Sequence, residues 1–420
     1  MHFSSRTLAA ALLCSLLPPV AASPVWAAVA RQTTAAPATA KTTTAQQSAT
    51  QSVQTYDLHF HPENGVKESL PLDNQQVAYY AYRNLVYVAH PRNPEYEQMN
   101  LFVPAAYLEG KTVNGYTAKT APIFLPNNVG GYMPGKAGNP SDKSHSDGPN
   151  TMLVALSKGY VVASPAVRGR STTDARGSYV GKAPALIVDY KAAVRYLRHN
   201  ANRLPAGDTE KIISNGTSAG GALSALLGAT GNSPDYEPYL KELGAAEERD
   251  DIYASMDYCP ITDLSRIDWL KIRDGKVVSM DLAKYAVYAT RLKPAPAFDR
   301  LDGSSGENDE FGTETNQPRH FSTFGFQNRT DKNPMAPAEA IRMLSPLEYI
   351  GKAPVTLAEH WRIRHGEVDR DTALPVPAIL ALKLQEAGKD VDFATVWGKG
   401  HAGDYDLEDL FAWMDRIGHE

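Results

Sequence analysis

Residues 210–221 read EKIISNGTSAGG, and this stretch decides the fold. The apolar run before Asn215 predicts a buried strand, and the small residues Ala219–Ala229 predict a helix. Between them, Gly216-Thr217-Ser218-Ala219-Gly220 matches the G-x-S-x-G pattern of a nucleophile elbow, which requires this strand-to-helix context. We therefore predict that Ser218 is a catalytic nucleophile. The alternative is a glycine-rich turn whose serine has no chemical role.

Strand and helix patterns continue on both sides of this turn. Strands are predicted at Val77–Val88, Met99–Ala106, Pro122–Asn127, Gly159–Ser164, Lys211–Asn215, Ile252–Tyr258, Trp361–Arg364 and Phe393–Val396, and further helices at Pro184–Leu204, Val376–Gln385 and Leu407–Ile417. This alternation is typical of a mostly parallel sheet with helices on both faces. With the elbow, it predicts an α/β-hydrolase fold. Residues 233–345 interrupt the alternation, so we predict a lid inserted between core segments 54–232 and 346–420.

A serine nucleophile needs a base, and in this fold the chain order is serine, acid, histidine. Five histidines follow Ser218. His320 falls inside the predicted insertion, His419 is the penultimate residue, and His360 and His365 flank a strand before any suitable carboxylate loop. The remaining candidate, His401, follows the strand Phe393–Val396 in a glycine-rich loop, so we predict that His401 is the base.

The acid is expected at the end of the preceding strand, where Asp369 stands. Its role would be to hold the imidazole tautomer and stabilise the imidazolium. Asp371 is two residues further on and could substitute for Asp369. A third interpretation makes both aspartates ordinary turn residues before the helix that follows.

The second half of an oxyanion hole is expected in the loop after an early strand. Gly130 and Gly131 follow the strand Pro122–Asn127 and allow backbone to approach a ligand closely. We predict that the backbone N–H groups of Gly131 and Ala219 are the donors. His59 and His61 share one face of a predicted strand but have no third ligand nearby, so we expect no metal and no cofactor.

Three longer motifs are similar to those of the bacterial tannases, which are α/β-hydrolases: GTSAGG at 216–221, HGEVDRDT at 365–372 and HAGDYDL at 401–407. NVGGY at 128–132 and the insertion segments KPAPAFD at 293–299 and SSGEN at 304–308 fit the same pattern. The resemblance implies Ser218, Asp369 and His401 as the triad. It also implies that Asp371, Lys293 and Glu307 contact the three hydroxyls of a galloyl group. A lid-surface ion pair is the alternative role for Lys293 and Glu307.

The resemblance implies a serine esterase that cleaves galloyl esters of tannins and simple gallate esters. A feruloyl or other carboxylesterase with the same triad is the alternative. A hydrolase that has lost activity and binds phenolics or a partner protein is the non-enzyme alternative, and the complete set of triad residue types argues against it.

The N-terminal 53 residues differ from the rest of the chain in composition and hydrophobic pattern. Arg6, the apolar run Leu8–Val20 and the small residues after it predict a cleaved export signal within 1–30, and an uncleaved helical tether is the alternative. Residues 31–53 form a Thr/Ala/Gln tract that predicts a disordered linker. We therefore expect an exported protein that is secreted or periplasmic, has no integral membrane segment after cleavage, and is a monomer.

The amino-acid composition excludes some classes of partner and of metal site. The 420 residues carry a net charge of −5, which gives no electrostatic footprint for nucleic acid. Two cysteines, Cys14 and Cys259, are too few for a cysteine-based zinc site or a disulfide framework. The resemblance to the tannases implies a small phenolic ester as the partner.

Overall fold

The computed structural model describes residues 55–144, 148–262, 270–272, 276–278, 290, 293, 297–352 and 354–420. Nine strands of this part form one sheet in the order β1-β2-β3-β5-β4-β6-β7-β10-β11, and β8 and β9 form a separate hairpin. The strands are β1 Val66–Leu72, β2 Gln75–Val86, β3 Gln98–Pro104, β4 Pro122–Pro126, β5 Val161–Pro165, β6 Asp208–Thr217, β7 Ala254–Tyr258, β8 Leu270–Ile272, β9 Lys276–Val278, β10 His360–Gly366 and β11 Asp390–Val396.

Six neighbouring strands of this sheet are all parallel, namely β5, β4, β6, β7, β10 and β11. Strands β4, β5 and β7 are buried at every residue, because helices cover both faces of this part of the sheet. The carboxyl ends of parallel strands meet at one edge, and loops from β4, β6, β10 and β11 therefore converge there. The predicted α/β-hydrolase fold is confirmed.

The first three strands pair antiparallel to one another, and β3 pairs antiparallel to β5. The edge strand β1 was not predicted from the sequence. Its side chains are mostly exposed and its interior holds Pro71, which an edge strand tolerates because one row of its backbone groups needs no partner.

The helices are α1 Ala105–Leu108, α2 Thr151–Ser157, α3 Ala185–His199, α4 Ala219–Ala229, α5 Glu237–Glu242, α6 Gly306–Glu310, α7 Thr323–Gln327, α8 Ala338–Met343, α9 Pro375–Glu386 and α10 Leu407–Gly418. Short 3₁₀ turns lie at Pro62–Asn64, Pro234–Tyr236 and Pro346–Glu348. The elbow helix α4 has the predicted bounds. The short helix α2 was not predicted, and the side chain of Asn150 caps its start by accepting from the backbone N–H groups of Met152 and Leu153.

Two expectations are corrected by the structure. The predicted insertion at 233–345 contains β7, a central strand of the main sheet, so position 233 is too early for its start. The segment with His59 and His61 is not a strand, and both side chains are about half exposed and lie near the carboxylate of Asp57. The predicted export signal and the whole of the predicted linker lie outside the described residues. None of the described helices is long and apolar enough to cross a membrane.

Candidate active site

Ser218 lies in the turn between β6 and α4 with φ of 61° and ψ of −121°. A positive φ is strained for a residue with a side chain, and such strain is typical of functional turns. The Ser218 backbone N–H donates to the carbonyl of Tyr258 at 2.9 Å, which fixes the turn to β7. A Cβ atom at Gly216 would collide with the carbonyl of Gly220, so only glycine allows this turn. The sequence therefore presents the serine at the carboxyl edge of a central strand.

Asn127 joins the loop after β4 to the elbow. Its Nδ2 donates to the carbonyls of Asn215 and Gly220, both at 3.0 Å. Its Oδ1 accepts from the backbone N–H of Val129 at 3.2 Å. The loop that carries Gly131, which has a φ of 54°, is thereby held against the start of α4. Sequence reasoning did not identify Asn127, because its only signal was a position at the end of a strand.

Asp369 follows β10, and its side chain is fully buried. Its Oδ2 lies 2.9 Å from Nδ1 of His401, and its Oδ1 accepts from the backbone N–H groups of Asp371 at 2.8 Å and Thr372 at 2.9 Å. Burial by itself would raise the pKa of Asp369. The hydrogen bond and charge of His401, with the Thr372 N–H, outweigh burial and hold that pKa below its ordinary value. Asp369 is thus ionised at neutral pH, and Nδ1 of His401 donates to it.

The loop that carries His401 is fixed by a carboxylate three residues further on. Asp404 accepts from Nδ2 of Asn215 at 3.0 Å and from Oγ1 of Thr151 at 2.7 Å. These contacts attach the loop to β6 and to α2. Asp404 itself has a φ of 53°. Sequence reasoning missed Asp404 as a functional residue, although it lies within the HAGDYDL motif.

Three further hydrogen bonds hold the other side of the same loop. Asp406 accepts from Nη2 of Arg362 and from the hydroxyl of Tyr258, both at 2.6 Å. The Cys259 thiol donates to the carbonyl of Ala402 at 3.2 Å, and Cys259 is fully buried. Burial is the main reason why the pKa of this thiol is raised far above its ordinary value. Cys259 is therefore a neutral thiol beside the residue that follows His401.

Lys293 and Asp371 meet beside this constellation. Lys293 Nζ lies 3.7 Å from Oδ1 of Asp371 and 5.0 Å from the ring centroid of Phe298. Potential ligand atoms of Asp369, Asp371 and His401 all lie within 4.8 Å of one another. The Lys293–Asp371 pair therefore joins the insertion to the loop that holds the candidate acid.

Glu307 lies on α6 and is 7% exposed. Burial raises its pKa, although a backbone N–H and the charge of Lys293 partly oppose this effect. The same short helix is anchored through Asp309, which accepts from Nη1 of Arg170 and from Nζ of Lys182, both at 2.6 Å. The charge of Lys293 is thus close enough to act on the carboxyl group of Glu307.

A cavity of about 350 Å³ opens at the carboxyl edge of the sheet, and both Ser218 and His401 line it. A second, buried set of potential metal ligands is formed by Cys259, His365 and Asp369. Both metal-ligand sets need the carboxylate of Asp369, which is already hydrogen-bonded to His401. The chemistry that this arrangement can support is nucleophilic attack by a serine with an imidazole base.

Comparison with known proteins agrees with this geometry. Residues 129–286 match the family model described as BD-FAE. A segment of 59 residues, 14% of each chain, is 44% identical to Esterase LipC of Mycobacterium tuberculosis (strain ATCC 25618 / H37Rv). The tannin acyl hydrolase of Lactobacillus plantarum is 38% identical, with a TM-score of 0.80 over 86% of this chain and 98% of that one. The Fusobacterium nucleatum tannase gives the same identity and TM-score over 86% of this chain and all of its own.

The fold and these relatives define a carboxylic-ester hydrolase of the α/β-hydrolase superfamily. At this identity and coverage, the chain belongs to the family of the bacterial tannases, or tannin acyl hydrolases. The resemblance detected in the sequence motifs is confirmed.

Proposed function

We propose that the protein is a serine esterase that hydrolyses galloyl esters of tannins and simple gallate esters through an acyl-enzyme on Ser218. The observation that carries this proposal is the pairing of two sets of residues. The Asp369–His401 hydrogen bond and Ser218 supply acyl-transfer chemistry. Asp371 lies beside that histidine, and Lys293 lies beside Asp371. Solved complexes of tannin acyl hydrolase with ethyl gallate and with 3,4-dihydroxybenzoate support the choice of acyl group.

In the acylation step, the Ser218 hydroxyl attacks the ester carbonyl while Nε2 of His401 accepts its proton. The developing oxyanion is stabilised by the N–H of Ala219, at the start of α4, and by the N–H of Gly131. Asp369 remains ionised and stabilises the imidazolium. His401 then transfers its proton to the leaving alkoxide, the C–O bond breaks, and a galloyl ester of Ser218 is left.

In the deacylation step, His401 removes a proton from water, and the resulting nucleophile attacks the galloyl carbonyl. Collapse of the second tetrahedral intermediate returns the proton to Ser218 and releases gallic acid. The same oxyanion donors serve both steps, and no cofactor is required.

Recognition of the ring is assigned to Lys293, Glu307 and Asp371. Phenol hydroxyls are hydrogen-bond donors, which carboxylates accept, and an ammonium stabilises a phenol that is partly ionised. Because burial raises the pKa of Glu307, its carboxyl group can also donate a hydrogen bond when it is protonated.

The feruloyl-esterase alternative uses the same triad, so only the acyl group separates the two functions. Purified protein is to be assayed with methyl gallate, methyl ferulate and a simple acetate ester. We expect efficient hydrolysis of methyl gallate and much slower hydrolysis of the other two. Faster turnover of methyl ferulate would replace the galloyl assignment with the alternative.

The nucleophile is tested with Ser218→Ala in the same assay. We expect the variant to lose nearly all turnover. The oxyanion hole and substrate binding should leave at most a residual rate about 10³-fold above the uncatalysed rate. Circular dichroism and the thermal midpoint serve as controls for folding. Wild-type turnover by the variant would rule out Ser218.

We also propose that residues 1–30 direct export and are removed. Expression of the full chain in a bacterial host, followed by fractionation and N-terminal sequencing, tests this proposal. We expect a mature N-terminus between Ala21 and Arg31. An intact Met1 on the exported or cytoplasmic product would contradict the cleavage.

A further inference from the structure

Arg170 connects the loop that carries Gly131 to the helix that carries Glu307. Its Nε donates to the carbonyl of Gly131 at 3.0 Å, and its Nη1 donates to Oδ2 of Asp309 on α6 at 2.6 Å. Its backbone N–H donates to the carbonyl of Tyr132 at 2.9 Å. One residue therefore reaches from the proposed oxyanion hole to the proposed ring contacts.

The orientation of Gly131 depends on this contact. Gly131 has a φ of 54°, and a Cβ atom built there would meet no atom of the described residues within 4 Å. Its surroundings are thus open, and a glycine by itself leaves its dihedral angles free. The Arg170 guanidinium holds the Gly131 carbonyl and so orients the residue whose N–H is assigned to the oxyanion.

The same guanidinium packs against the start of α6. A Cβ atom at Gly306, the first residue of this helix, would lie 3.3 Å from Nε and 3.4 Å from Cζ of Arg170. Helix α6 has five residues, which is too short to be stable without contacts from outside. Because Glu307 is the second residue of α6, a shift of this helix against Arg170 moves the carboxyl group assigned to the ring.

An arginine suits this position better than a lysine. The guanidinium is planar and carries five N–H donors at fixed angles, so Arg170 contacts Gly131 and Asp309 at the same time and keeps them at a fixed separation. Its charge is not unique, since Nζ of Lys182 donates to the other oxygen of Asp309 at 2.6 Å. The contact at two points is therefore the property that distinguishes Arg170.

We propose that Arg170 is a positioning residue that couples recognition of the galloyl ring to activation of the ester carbonyl. The ring hydroxyls hold Glu307, and α6 holds Arg170 through Asp309. Arg170 in turn orients Gly131 toward the oxyanion. Binding energy from a part of the substrate that does not react is thereby used to raise kcat. This inference rests on the proposed function, which assigns Gly131 to the oxyanion hole and Glu307 to the ring.

The test measures kcat and KM separately on methyl gallate and methyl benzoate, which share the ring and differ in its hydroxyls. In the wild type, we expect the hydroxyls to raise kcat as well as to lower KM. Arg170→Met should lower the gallate-to-benzoate ratio of kcat about tenfold and leave the ratio of KM within about twofold, because Lys182 still anchors α6. Arg170→Lys should behave in the same way, since one ammonium cannot maintain both contacts.

Two further measurements follow the coupling link by link. A simple acetate ester has no ring, so the loss of kcat on it in Arg170→Met, expected to be about three- to tenfold, reports the displacement of Gly131 alone. Glu307→Gln should lower kcat on methyl gallate in the wild-type background. In the Arg170→Met background it should act on KM alone, because the path from the ring to Gly131 is already broken.

Arg176→Met is the matched control, because Arg176 is exposed on the same connection between β5 and α3. Circular dichroism and the thermal midpoint verify folding, and Arg170→Lys replaces Arg170→Met in every measurement if the latter does not fold. An unchanged gallate-to-benzoate ratio of kcat in the folded variant would overturn the coupling. A loss that falls on KM alone would overturn it as well.

Failure of the proposed function gives a different result. A wild type that hydrolyses acetate esters but not methyl gallate would refute the galloyl assignment and the coupling to the ring with it. The kcat of Arg170→Met on the acetate ester would then still decide whether Arg170 positions Gly131. Preferential hydrolysis of methyl gallate by the wild type, with an unchanged ratio of kcat in Arg170→Met, would refute only the coupling.

Discussion

Asp369 and Asp371 stand two residues apart and have different surroundings. Asp369 is fully buried, with its oxygens occupied by His401 and two backbone N–H groups. The side chain of Asp371 is 31% exposed and faces Lys293. The first environment suits a carboxylate that orients an imidazole, and the second suits one that contacts a ligand.

This difference predicts separate kinetic effects. Asp369→Asn should lower kcat by about 10⁴, because an amide at this position favours the wrong tautomer of His401. Asp371→Asn should instead reduce the preference for galloyl over plain acetate esters. The measurement is kcat and KM on both ester types, and equal losses on both esters in both variants would contradict the division.

Sequence motifs predict Ser218, Asp369 and His401 at this scale, because chain order and turn chemistry limit the candidates. They do not predict the contacts of Asn127, Asp404 or Cys259. Asp404 contacts Thr151 across 253 positions and Asn215 across 189. Nothing local to any of these residues indicates such a partner, so the contacts emerge only once the sheet has been assembled.

At the scale of elements, the loop between β11 and α10 is held in place by the hydrogen bonds of Asp404. Asp404→Asn should lower kcat/KM by roughly 10- to 100-fold, because an amide would place a donor opposite the Asn215 donor and shift His401. Affinity for gallic acid, measured by calorimetry, should change little. Asp409→Asn is the control, since Asp409 is exposed on α10. Loss of product affinity together with kcat would point to general disorder of the site.

Lys293 and the short helix α6, which carries Glu307, provide the second prediction at this scale. Lys293→Ala and Glu307→Ala should each reduce the preference for gallate over benzoate esters, because the residues are assigned to hydroxyls that benzoate lacks. A site built for such hydroxyls can discriminate by as much as ~10⁴. The measurement is kcat/KM for methyl gallate and methyl benzoate. Equal hydrolysis of the two by the wild type would refute the galloyl assignment and leave the esterase assignment intact.

Elements with strong internal patterns were predicted well, and α4 is the clearest case. The edge strand β1 was missed because only Leu72 of its seven residues is fully buried and Pro71 weakens the strand prediction, so its alternation is faint. The misplaced boundary at 233 has another cause. The apolar run Ile252–Tyr258 predicts a strand, whereas the chain around it, which is rich in Pro, Gly, Asp and Asn, predicts an insertion, and the two patterns overlap.

At the scale of the whole molecule, a buried cluster ties the antiparallel strands to the parallel core. Arg168 lies 2.6 Å from Asp189 on α3 and 3.4 Å from Glu97, which precedes β3. One guanidinium thus lies beside two buried carboxyl groups. Burial raises the pKa of Glu97 to about 8, and the negative charge of Asp189 adds to this effect while Arg168 opposes it.

This cluster predicts a pH-dependent stability. Because the folded-state pKa of Glu97 is raised, its stabilising contribution is present below the unfolded value and is lost as pH rises toward about 8. Glu97→Gln should therefore match the wild type near pH 5 and exceed its thermal midpoint at pH 8.5 by roughly 2 °C or more. Glu95→Gln, at a 58% exposed side chain, is the control. A variant less stable than the wild type at both pH values would contradict a neutral Glu97.

The thiol of Cys259 is a natural probe for the opening of the loop that carries His401. Cys259 is the only cysteine after Cys14, and its hydrogen bond ends on the carbonyl next to His401. A protonated, enclosed thiol reacts slowly with disulfide reagents, so labelling proceeds at the rate at which the His401 loop lifts or the core opens. Timed thiol labelling would consequently measure how often the loop that carries His401 lifts or the core opens, without any probe being engineered into the chain.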